Sequence, residues 1–172
     1  VFPKPFQKPH PPFYFGGASD AAKVVGAEEA DVYLLWGETV PMVRERIADM
    51  RERAAGAGRT LRFGMRILVC VRETEDQARA AADALVAEIP PAFENMMQKH
   101  LSGADSEGEK RQRELNAQGE WLGPNLWTGI GRARLGVGTA LVGSGENVSR
   151  LTVEIELMVL MSENASATPA RS

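Results

Sequence analysis

Three apolar runs, at 13–15, 31–36 and 61–71, alternate with three segments of helical spacing, at 20–29, 40–55 and 74–88. This β-α-β-α-β-α order constrains the fold more than any other feature. A strand followed by a helix returns beside its predecessor, so the strands are expected to be parallel with right-handed crossovers. Asp31–Trp36 is mostly apolar, as expected of a strand covered on both faces. The helical period is clearest after it: Val40, Val43, Ile47, Met50 and Ala54 recur at spacings of three and four, with Arg44, Glu45, Asp49, Arg51, Glu52 and Arg53 toward water. Pro41 suits the first turn of that helix, and Gly56-Ala57-Gly58 ends it. Leu61–Val71 reads as one long strand. Thr74-Glu75-Asp76-Gln77 forms a capping box for the third helix, and Pro90-Pro91 stops it. Three such units are too few for a closed barrel but suit part of one.

The composition is that of an ordinary soluble domain. The chain has 172 residues, 44% hydrophobic and 25% charged, enough for one domain with a real core. A net charge of −3 gives no electrostatic case for nucleic acid or an anionic membrane. No apolar run approaches the ~20 residues of a membrane span. The single cysteine, Cys70, excludes an internal disulfide and fits a reducing cytoplasm; in an apolar strand it reads as an inert core thiol. No initiator Met or signal peptide is visible, which suggests a fragment or a processed chain.

Five of the ten prolines fall in residues 1–12, which read as an extended lead-in. Beyond residue 91 the pattern changes. Phe93–Leu101 and Glu107–Gln118 read as polar helices broken by Ser102-Gly103-Ala104-Asp105, and eight glycines follow between Gly119 and Gly145. The stretch 92–145 is a long insertion, either a mobile lid over a site or an ordinary exposed excursion. Thr152–Met161 suits a further strand or a poorly docked helix. The small polar residues 162–172 suit a frayed tail.

The chemistry points first to the run Phe13-Tyr14-Phe15-Gly16-Gly17-Ala18-Ser19-Asp20. It reads as a buried strand, a two-glycine turn and a helix start, with Ser19 and Asp20 as capping residues. Such a turn is either a phosphate site or a plain strand-to-helix connection, and Asp20 opposes an anion unless it points away. Arg66, a cation in an apolar strand, requires a carboxylate partner or an anionic ligand. Arg132 and Arg134 lie among glycines, where they would close on an anion or simply be solvated. Trp36, at a strand end, lines a pocket or packs. Trp121 and Trp127 flank Gly123-Pro124 and would anchor the insertion. Gly129-x-Gly131 and Gly136-x-Gly138 make no dinucleotide fingerprint, since no clear strand precedes them. His10, His100 and Cys70 offer no metal-ligand spacing and no nucleophile–base pair.

Five strings then resemble the alkanesulfonate monooxygenases, a branch of the bacterial-luciferase-like flavin-dependent monooxygenases: 11–20, 31–38, 58–66, 71–74 and Pro124-Asn125-Leu126-Trp127-Thr128-Gly129. The resemblance covers about residues 1–150. It implies a (β/α)8 TIM barrel of which this chain is the C-terminal half, starting near the fifth strand, with a long helical and Gly-rich insertion. The β/α units would span 1–91, the insertion or lid 92–145, and a divergent tail 151–172. The implied cofactor is FMN, used as the co-substrate FMNH2 and supplied by an NAD(P)H-dependent flavin reductase. The implied reaction uses O2 to cleave the C–S bond of an alkanesulfonate, giving an aldehyde and sulfite, in a cytoplasmic homo-oligomer. By position, Gly17, Ala18 and Ser19 match the loop that holds the FMN phosphate, although Ala18 lacks the usual hydroxyl. Arg66 matches an active-site arginine, and Arg134 matches an arginine of the mobile loop. Leu68 stands where the family has a histidine, and the family's closing helix, last strand and Ser-Gly-Tyr-Pro loop have no counterpart after about Arg150. The alternatives are a non-catalytic half-barrel that only associates, or another flavin or deazaflavin oxidoreductase of the superfamily.

Overall fold

The structure is a computed structural model that describes residues 3–102, 106–132 and 138–164. The first sheet holds β1 (Tyr14–Phe15), β2 (Val32–Trp36) and β3 (Arg62–Arg66), in that order and all parallel. Helix α1 (Asp20–Glu29) connects β1 to β2, and α2 (Val40–Gly56) connects β2 to β3. The two βαβ units are those expected. Ser19 caps α1, its Oγ accepting the Ala22 N–H at 3.3 Å. Gly58, at φ +69°, turns the chain after α2 in a conformation that favours glycine.

Side-chain alternation along β2 and β3 explains the core. Tyr33, Leu35, Phe63 and Met65 face α2, where Val43, Ile47, Met50 and Ala54 pack on them. The helical stripe read from the sequence is therefore the buried one. In α1 the buried residues are Gly26 and Ala27, whereas Val24 and Val25 are exposed. The reason is distance: a Cβ on Gly26 would lie 2.9 Å from the Tyr33 ring, so α1 sits too close to the sheet for a larger residue there. The strand β1 is also more open than expected. It is an edge strand, and Phe13 and Tyr14 are exposed.

Leu61–Val71 is not one uniform strand. After Arg66 the chain breaks at Ile67 and continues as β4 (Leu68–Arg72) in a second sheet. That sheet has the order β4-β6-β5, with β6 (Ala140–Ser144) parallel to β4 and β5 (Leu126–Trp127) antiparallel to β6. Helix α3 (Glu75–Val86) starts at the expected capping box and buries Ala78, Ala82 and Val86 against Trp127, Ala140 and Val142. Cys70 is part-buried on the same side, consistent with a packed thiol. Two helices follow, α4 (Pro91–Ser102) and α5 (Glu107–Gln118). Trp121 and Trp127 meet in a β-bridge with ring centroids 6.2 Å apart.

Two elements correct the sequence reading and a third decides between its alternatives. A short strand, β5, does precede Gly129, and the residues after it form a 3-10 turn over Gly129–Arg132. Ala140–Ser144 is a strand inside the glycine-rich stretch, where none was expected. The last apolar run belongs to a helix, α6 (Gly145–Asn164), the second of the two alternatives the sequence offers for it. Among the described residues no helix is long and apolar enough to cross a membrane.

Candidate functional site

The C-terminal ends of β1, β2 and β3 open on one cavity of about 260 Å³. Strand C-termini are where parallel α/β folds gather their sites, because the loops there converge. Gly16, Gly17 and Ala18 reach it from β1, Trp36 and Glu38 from β2, and Arg66 from β3. Ser106 and Gly108, at the start of α5, close another side.

The glycine turn is fixed in place. The buried Tyr33 hydroxyl donates to the Gly17 carbonyl. A Cβ on Gly17 would lie 2.5 Å from the Ala22 Cβ, so the turn has no room for a side chain. Ser19 is exposed and already caps α1. The Asp20 and Ala21 N–H groups, at the same helix end, have no acceptor within the helix. Asp20 turns away from the cavity, to Lys23 at 3.8 Å and Arg53 at 3.6 Å. This meets the condition under which an anion is tolerated near that turn.

Ionic contacts bind α2 and α5 to the site. Glu38 is held by Arg111 of α5 in a bidentate pair, Nε to Oε1 at 2.9 Å and an Nη to Oε2 at 3.0 Å. The Glu38 carboxylate raises the Arg111 pKa above its ordinary value. Arg46 of α2 lies 3.9 Å from Glu38 Oε1, and both of these side chains are 9% exposed. Where α1 meets α2, burial alone would raise the Asp49 carboxyl, but hydrogen bonds from Lys23 and Arg53 outweigh it and hold its pKa low.

Of the residues expected from the sequence, Gly17, Ala18 and Arg66 share the cavity, with Ser19 next in the chain. Arg66 is exposed and makes no ion pair among the described residues, so the expected burial against a carboxylate is not found. It ends an edge of the first sheet, where its side chain meets the cavity instead. Arg134 lies outside the described residues. Trp36 lines the cavity. Leu68 does not line it and is 38% exposed on β4, past the break at Ile67. Sequence reasoning missed Tyr33, Glu38 and Arg46. Arg46 left a signal: it falls inside the apolar stripe, three residues after Val43 and beside Ile47, where a solvated charge does not belong.

A family model described as "Luciferase-like monooxygenase" matches residues 1–159. Several solved structures share the fold. One is a riboflavin lyase, solved with modified FMN and substrate riboflavin, at 16% identity and a TM-score of 0.65 over 87% of this chain and 37% of that one. Another is DmoA from Hyphomicrobium sulfonivorans, at 18% identity and a TM-score of 0.61 over 85% and 34%. A third is a long-chain alkane monooxygenase, at 20% identity and a TM-score of 0.54 over 88% and 34%. The chain thus spans about a third of the length of the structures it matches. Its α/β architecture is part of a TIM barrel.

Proposed function

Because the chain belongs to the luciferase-like monooxygenase family, we propose that it is part of a flavin-dependent monooxygenase that acts on alkanesulfonates. The FMN phosphate is held at Gly17, Ala18 and Ser19. The observation that carries this reading is the single cavity shared by Gly17, Ala18 and Arg66 at the strand C-termini.

The residues fit the group. A turn without room for a Cβ lets the backbone approach a phosphate, and the start of α1 offers N–H donors there. A cavity of about 260 Å³ is smaller than the roughly 300–1,000 Å³ usual for such ligands, so these residues form one part of a flavin site. When bound, reduced flavin supplies the electrons that activate O2, chemistry no side chain provides. The chain's own residues bind and orient. Tyr33 fixes the Gly17 carbonyl, Trp36 walls off water, and Arg66 presents a guanidinium to the anionic head of the substrate. Arg134 is proposed to close over that head from the segment that includes it. Leu68 carries no imidazole, so no proton transfer is assigned at that position. O2, an NAD(P)H-dependent flavin reductase and a second copy of the chain complete the proposed partners, in the cytoplasm.

Two measurements test the reading separately. Equilibrium dialysis should show FMN bound at least tenfold more tightly than riboflavin, which lacks the phosphate; equal affinity would reject the phosphate site. Sulfite release from octanesulfonate, with NADPH, FMN and a flavin reductase, tests the substrate in the longer protein. FMN binding without sulfite release would reject the sulfonate assignment alone.

A further inference from the structure

Among the described residues, two buried side-chain oxygens have no hydrogen-bond partner: Oε1 of Gln112, on α5, and Oγ1 of Thr139, just before β6. The two residues are 6% and 1% exposed, so bulk solvent does not reach these oxygens. Both groups press on one peptide. Gln112 Nε2 donates to the Gly37 carbonyl at 3.2 Å. A Cβ on Gly37 would lie 2.5 Å from Thr139 Oγ1. A Cβ on Gly138, the neighbour of Thr139, would lie 3.3 Å from both Gln112 Oε1 and the Gly37 carbonyl oxygen. The chain is thus bare of side chains at 37 and 138, where the two oxygens approach. The glycines with positive φ are Gly58 and Gly119, so room rather than dihedral freedom suits glycine at 37 and 138.

Buried polar groups are nearly always paired, and one left unpaired keeps its full desolvation cost. The two oxygens do not bond to each other. An amide oxygen only accepts, whereas a hydroxyl both donates and accepts. Water can donate to both, and internal waters serve such groups in folded proteins. We infer that Gln112 Oε1 and Thr139 Oγ1 hold one internal water, which ties α5 to the start of β6 across peptide 37. Ile67 supplies an apolar wall, since the Gly37 Cβ would meet its Cδ1 at 2.9 Å. The neighbours of that peptide give the site its importance. Trp36 and Glu38 line the cavity, and the Gly37 N–H donates to the Arg66 carbonyl at 3.2 Å. Arg111, next to Gln112, grips Glu38. The water completes the joint by which α5 sets this corner of the cavity. The site needs neither flavin nor sulfonate and goes beyond the proposed function.

Thr139→Val, which exchanges the hydroxyl for a methyl of similar size, tests the site by the sign of its effect. With a water bound, the variant leaves Gln112 Oε1 without its partner, and the urea midpoint should fall. Hydrogen exchange over residues 107–118 should quicken about threefold or more, although residue 139 lies outside that helix. An unchanged or higher midpoint, or unchanged exchange over α5, overturns the site, because the variant would then have removed only an unpaired hydroxyl. Gln112→Met loses the same water, so the double variant should lose less than the two single losses combined, and additive losses overturn the site as well. Nuclear Overhauser transfer from water to the Gln112 side-chain amide separates a bound water from a direct bond between the two side chains. It should be present in the wild-type chain and lost in Thr139→Val, and coupling without it overturns the water. Should Thr139→Val not fold, as judged by circular dichroism, Thr139→Ser and Thr139→Ala carry the test. Thr139→Ser should keep wild-type exchange over α5 while Thr139→Ala quickens it, and equal exchange in the two overturns the site.

Discussion

The Tyr33 hydroxyl, on the strand, donates to the Gly17 carbonyl in the turn that follows β1. One residue thus serves two layers: its ring packs in the core between sheet and helices, and its oxygen sets the orientation of the peptide at the cavity. Tyr33→Phe keeps the ring and removes the bond. The expected cost is about 1 kcal/mol of stability, the usual net worth of such a bond. FMN affinity should fall while riboflavin affinity does not. Chemical denaturation and flavin titration check both.

Gly17→Ala should destabilise the fold by about 1–3 kcal/mol, the usual cost of forcing a methyl into a packed place. Its Cβ would lie 2.5 Å from that of Ala22. The added methyl has a specific obstacle, so Ala22→Gly in the same chain should restore part of the loss. A double-mutant cycle showing no coupling would contradict the contact.

Glu38 and Arg111 should not be equivalent. Glu38→Leu leaves Arg46 buried without its counter-charge, at a cost of about 3–5 kcal/mol. Arg111→Leu removes a partner that is 30% exposed and leaves Glu38 to Arg46. It should cost less than half as much, and it should also loosen α5, read as faster hydrogen exchange over residues 107–118. Equal costs for the two variants would show that Arg46 and Glu38 are not coupled.

Glu75 makes acid stability a local question. The Ser144 N–H donates to it at 2.7 Å, Asn147 at 2.7 Å and Asn125 at 2.9 Å. The Ser144 backbone bond is the largest influence, and together these bonds lower the Glu75 pKa from 4.5 to about 2. A carboxyl with a depressed folded pKa stabilises the fold above its unfolded value and loses that stabilisation as pH falls. Stability from this group should therefore be complete above about pH 4.5 and decline toward pH 2. Glu75→Gln should be less stable at pH 7 and show a flatter decline between pH 4.5 and 2.5, as measured by urea midpoints across that range. An unchanged slope would assign the acid sensitivity to other groups.

Much of the fold was legible because its signals are local. Helical period, the Thr74–Gln77 box and the Gly and Pro stops set α1, α2, α3 and α5 close to their observed bounds. What was not legible depends on partners far along the chain. The break at Ile67 exists because 62–66 pair with β2 while 68–72 pair with β6. No local pattern in Leu61–Val71 announces that change. The strand Ala140–Ser144 is short, contains Gly143, and gains its identity by lying between β4 and β5. At the cavity, the glycine turn and Arg66 were legible as residue types that need an explanation. Glu38 was not, because a charge in a turn reads as solvated until the packing shows what covers it, and Arg46 left only its place within the apolar stripe as a signal.

The most direct test of the flavin site is an anaerobic titration of the chain with FMNH2, followed by tryptophan fluorescence, with oxidised FMN as the control. Trp36 borders the cavity and should report occupancy, so Trp36→Phe should remove most of the signal without removing binding. Saturable quenching, tighter for the reduced flavin, is the predicted result. A folded sample that shows no saturable change with either form would contradict the account.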